Sequence, residues 1–152
     1  MRNKRFIAVH RGGPLSKEHH HLLIHWAHDC AKHVLHLFGE TIDERLNEAL
    51  AIARAWEKGK ASVGEARKAS VEAIVVAREA SSPAAVAVAR AVGHAVATAH
   101  MADHALGATY YALKAIKAAG KSIEAELQWQ DGQLPSEILE LVISARERKP
   151  KP

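Results

Sequence analysis

The chain has 152 residues, the length of one domain and enough to bury a core without covalent staples. Hydrophobic residues make up 48% of it and aromatic ones only 5%, so its core must rely on closely packed alanine. The charge of +4 comes from scattered Lys and Arg, which argues against a nucleic-acid surface, and one cysteine, Cys30, excludes an internal disulfide and fits a reducing cytoplasm.

No uncharged apolar run approaches the roughly 18 residues that a membrane span requires. The start "MRNKRFIAVHRGG" has four consecutive apolar residues, too few for a signal peptide. Gly12, Gly13 and Pro14 break any helix there, so residues 1–15 read as an extended arm. Ser16 is placed to cap a first helix running to Phe38, with Gly39 as its stop. Thr41 and Glu44 have capping-box spacing for a second helix, which ends at Gly59. Its apolar stripe is Ile42, Leu46, Ala49, Leu50, Ala53 and Trp56. Ser62 and Glu65 repeat the capping signal for a third helix to about Ala80. Ser82 and Pro83 open a fourth.

The helical pattern then runs from Pro83 to Ala119. One helix of that length would measure ~55 Å, longer than the ~40 Å diameter of such a domain. A break is therefore expected near residues 99–104. The part before it is apolar nearly all round, with Arg90, His94 and Thr98 on one polar stripe, and belongs at the centre of the fold. Here His94 reads as a buried, hydrogen-bonded histidine, and Arg90 as a cation needing a buried partner such as Asp29 or Asp103. Ser122 caps a short helix through Gln130, and Pro135 or Ser136 opens a last one. The fold class that follows is all-α: one antiparallel bundle of about six to seven helices over residues 16–146, with a disordered basic tail over 147–152.

The stretch "HHHLLIHWAHDCAKHVLH", His19 to His36, holds seven of the eleven histidines. On a helical wheel Leu23, Trp26, Ala27, Cys30, Val34, Leu37 and Phe38 form the core face. His21, His25, His28, Lys32 and His36 form the opposite, solvated face, with Asp29 beside them. His21, His25 and His28 lie on adjacent turns, and histidines four apart can share one metal ion. A second cluster offers His100, Asp103 and His104. Docked together, the six would make a mixed His/Asp site for zinc, or for iron or manganese if the carboxylate joins. Lys32 within the stripe is a poor neighbour for a cation, and there is no Glu-x-x-His pair. The solvated reading is therefore the stronger one, with no metal and no cofactor. Cys30, on the core face, reads as packing rather than as a nucleophile, and the three tryptophans read as core anchors.

Several stretches resemble a known family. They include "W-x-x-D-C-A-x-x-V-L" at Trp26–Leu35, "A-x-A-H-x-A-D-H-A-L-G-A" at Ala97–Ala108, and "LQWQDGQLPSEILELV". Over about residues 5 to 143 the chain looks like the immunity proteins with an Imm-5-like helical domain. The resemblance implies a small non-enzymatic cytoplasmic module that binds and neutralises a cognate toxin of a bacterial polymorphic toxin system. It brings no catalytic residues. Many immunity proteins are acidic, whereas this chain has a pI near 9.3, so a toxin that it binds should be acidic or neutral at the interface. Two other readings stand beside this one: a metal-binding helical protein built on the two histidine clusters, and a structural protein that self-associates, as a homodimer for example.

Overall fold

A computed structural model describes residues 2–152. It contains seven α-helices: α1 Lys17–His33, α2 Glu44–Glu57, α3 Val63–Glu79, α4 Pro83–Ala97, α5 His104–Ala118, α6 Ile123–Gly132 and α7 Ser136–Glu147. There is no strand among the described residues, only an isolated bridge between Ala8 and Leu15. None of the helices is long and apolar enough to cross a membrane.

α4 is the axis of the bundle. Ten of its fifteen residues are buried, and α1, α2, α3 and α5 all pack on it. Alanine makes this possible, since small side chains let helix backbones approach closely. Gly93 extends the effect. A Cβ there would meet Ala73 Cβ at 3.5 Å and Ser70 O at 3.6 Å, so α3 approaches α4 closely at that point while leaving room for one methyl.

Most helix starts follow the sequence signals. Ser16 accepts from the His19 N–H, Ser82 from Ala85 and Ser122 from Ala125, while Ser62 and Glu65 close a full capping box. The Thr41–Glu44 box does not form. Asp43 caps α2 instead, because its carboxylate accepts both the Arg45 N–H and the Arg45 guanidinium, at 3.0 Å each. The first helix also stops earlier than its periodicity implies. It ends at His33, and Leu35–Phe38 tightens into a 3-10 turn that lies on α4. The break after Ala97 falls where the length argument puts it.

Before α1 the chain curls rather than extends. Two 3-10 turns, Lys4–Phe6 and Val9–Arg11, fold it into a hook that ends at Gly12 with φ +86. Phe6 and Leu15 from this hook are buried in the common core. After α7, Lys149 to Pro152 lie over a groove lined by Leu106, Leu113, Leu127 and Ile143, and Lys151 Nζ is 3.8 Å from Glu124.

Candidate functional site

The break between α4 and α5 decides where the polar residues of the second half meet. His94 occupies the last turn of α4 and His104 opens α5. The intervening residues reverse the chain, and the two Nδ1 atoms come to 3.0 Å. One ring donates its Nδ1–H and the other accepts, so the pair holds opposite tautomers. His94 also stacks on Tyr111, with ring centroids 5.3 Å apart and planes 21° apart, and the His100 ring lies 5.2 Å from His104. Gly107 makes room for this array. A Cβ there would stand 2.5 Å from His94 Nδ1.

Burial is the main influence on all three imidazoles. It pushes His94 down to about 4, and the neighbouring His104 and Arg90 add to the effect. Burial likewise lowers His104 and His100. The Nδ1 of His100 is buried and has no hydrogen-bond partner.

These rings form one end of a groove of about 450 Å3 between α3, α4 and α5. Arg78 and Arg90 stand on its walls, with Ile74 and Tyr111 as its apolar surfaces. Arg90 and Lys114 reach the Tyr111 ring, at 5.7 and 5.8 Å from its centroid. No residue lining the groove carries a carboxylate. Arg90 is thus an exposed cation resting on an aromatic ring, and neither Asp29 nor Asp103 partners it. Asp29 faces His25 and His28, and Asp103 faces Arg2.

The α1 histidines lie elsewhere and are less solvated than the wheel implies. His28 is buried, since α2 covers part of that face, and His20, which lies nearer the apolar half of the wheel, is buried too. His20 Nε2 donates to Thr98 O at 2.6 Å. His21 meets Trp56 edge-on, His25 Nδ1 is 3.0 Å from Glu57, and His28 Nδ1 is 2.9 Å from Asp29. Burial lowers the pKa of His20, His21 and His28. The six residues considered for a metal therefore fall into two sets, His21, His25 and His28 on α1, and His100, Asp103 and His104 at the break. No hydrogen bond, ion pair or ring contact joins the sets among the described residues. Nor do any three His, Cys, Asp or Glu side chains among those residues converge on a metal position.

A second polar network ties α1, α6 and α7 together. Trp26 Nε1 donates to Gln130 O at 2.9 Å, and the Arg146 guanidinium lies over the Trp26 ring at 5.0 Å. Arg146 also donates to Asp131 at 2.7 Å and to the Gln130 side chain. On the neighbouring face His33 stacks on Trp129 at 3.5 Å and contacts Glu126 at 2.7 Å. Cys30 is fully buried, and burial raises its thiol well above the ordinary range.

A family model described as "Imm-5 like putative immunity protein" matches residues 13–137. The chain belongs to this family. The Imm-5-like match takes in α1 to α6 and the start of α7, and so includes every residue of the groove. Comparison with curated proteins and with solved structures gave no match.

Two of the Imm-5-like stretches read from the sequence sit at the two polar centres. Trp26–Leu35 carries the Trp26 side of the Arg146 network, and Ala97–Ala108 carries the break with His100, His104 and Gly107. Sequence reasoning missed the pairing of His94 with His104, because a spacing of ten residues matches no helical period. The unusual length of the apolar run before and after the break was the one available signal.

Proposed function

We propose that this chain is an immunity protein, a non-catalytic cytoplasmic module that neutralises a toxin by binding it directly. The family match over residues 13–137 carries the reading. The chemistry of the chain supports it. Cys30 is sealed in the core as a neutral thiol, and Ser16, Ser62, Ser82 and Ser122 serve as helix caps. In the groove between α3, α4 and α5 the charged groups are cations, set beside imidazoles that burial keeps neutral, an arrangement suited to recognition.

The test is complex formation between the purified full chain and the product of the neighbouring reading frame. Light scattering coupled to size exclusion should give a one-to-one species with the mass of both chains. Separate elution at micromolar concentrations contradicts the proposal.

A further inference from the structure

We infer that the groove between α3, α4 and α5 is the surface that receives an acidic segment of the partner protein, through Arg78, Arg90 and the imidazole edge of His94, His100 and His104. The inference rests on the immunity reading for the identity of the partner, and on the groove itself for its chemistry.

The charge arrangement of the arginines is the first argument. Arg5, Arg45, Arg54 and Arg146 each stand within ion-pair distance of a carboxylate of this chain. Arg11, Arg67, Arg78, Arg90 and Arg148 have no such partner among the described residues, and of these Arg78 and Arg90 are the two that line the groove. Two unpaired guanidiniums, with Lys114 beside Tyr111, create a local positive field. Guanidinium groups bind carboxylates through paired, charge-assisted hydrogen bonds. No acid lines the groove, and Asp103, the carboxylate whose field reaches its three histidines, is paired with Arg2.

The neutral imidazoles are the second argument. His100 has a buried Nδ1 with no partner in this chain, which leaves one polar atom at the groove end unsatisfied. Since the His94–His104 bond uses only Nδ1 atoms, the ring that accepts in it carries an Nε2–H that is free of the bond and can donate to a carboxylate.

Shape selects a peptide over a small anion. Ile74 is 43% exposed and lies across from Tyr111, so the groove presents apolar surface between its cations. Inorganic phosphate has nothing to bury there. A segment that alternates acidic and aliphatic side chains satisfies both features.

The test uses the full 15N-labelled chain and three probes: the capped peptide Glu-Leu-Asp-Leu-Glu, its neutral analogue Gln-Leu-Asn-Leu-Gln, and inorganic phosphate. The acidic peptide should shift amides of residues 74–78, 90–94, 100–104 and 111, and the binding should weaken as salt rises. In the exposed double variant Arg78→Gln/Arg90→Gln the affinity should fall about tenfold or more. Equal binding of the neutral peptide, undiminished binding by the double variant, or phosphate saturating the same shifts as tightly as the peptide overturns the inference. Toxin complexes separate this inference from the immunity reading. If wild type and Arg78→Glu/Arg90→Glu capture the toxin equally well, the groove assignment fails and the immunity reading stands. If wild type captures no toxin, the immunity reading fails, and the peptide titration alone judges the chemistry of the groove.

Discussion

At the scale of single residues, His94 couples the break to the stability of the bundle. Its ring is held by Tyr111, His104 and the open backbone at Gly107, and burial sets its pKa at about 4, below the unfolded value near 6.5. The folded state therefore binds fewer protons than the unfolded state between those two pH values. The stabilisation from the neutral ring is complete above about pH 6.5 and is lost as the pH falls through 4. His20, His28 and His104 are lowered for the same reason and act with the same sign. The free energy of unfolding in urea should thus drop between pH 6.5 and 4, with ~3 kcal/mol of the loss traceable to His94. In His94→Gln the profile should be flatter over this window. An unchanged slope in that variant rules out this role for His94.

At the scale of helices, the two glycines of the α4–α5 region act in opposite ways. Gly107→Ala drives a methyl into the His94 ring and should cost about 1–3 kcal/mol, read as a lower denaturation midpoint. In a His94→Ala background the same change should cost far less, and a double-mutant cycle measures that difference. Gly93→Ala finds only ordinary contacts at 3.5–3.9 Å, and should be neutral or stabilising by up to ~1 kcal/mol through helix propensity. Arg146 carries the contact between α7 and the rest. Its side chain is 17% exposed, covers Trp26 and pairs with Asp131. Arg146→Ala should destabilise by ~2 kcal/mol or more, and Arg146→Met by less, because methionine keeps the packing on Trp26. Thermal or urea denaturation of the two variants checks the order.

The helices themselves were legible before the structure, since alanine periodicity, serine caps and the length limit on Pro83–Ala119 are local signals. What was not legible depended on docking. Asp43 displaced Thr41 as a cap through its bond to Arg45, and the tight turn at Leu35–Phe38 exists because α4 lies beneath it. The histidine-rich face of α1 looked solvated on a wheel. A wheel cannot show that Glu57 and Trp56 of α2 would cover it. Of the groove, Arg90, His94, His100 and His104 could be named beforehand, but not their meeting, the stacking of Tyr111 on His94 or the part played by Arg78.

At the scale of the whole molecule, the bundle keeps its small apolar residues inside and gathers Arg78, Arg90 and three histidines on one groove. A core dominated by small residues packs the helices tightly around α4. Its exposed large apolar residues come from three segments: Val9 from the N-terminal hook, Val63, Val71 and Ile74 from α3, and Leu139 from α7. Of these, Ile74 belongs to the groove that also holds Arg78, Arg90 and the histidines. A net charge of +4 and a cationic groove together favour fast association with an acidic partner at low salt. The measurement closest to the central claim is survival of cells that express the toxin this chain is proposed to neutralise, with and without the chain. Growth restored by the wild-type chain, in step with formation of a stable complex, is the result that a directly neutralising immunity protein requires. Unrelieved killing in cells that accumulate folded chain would contradict the account.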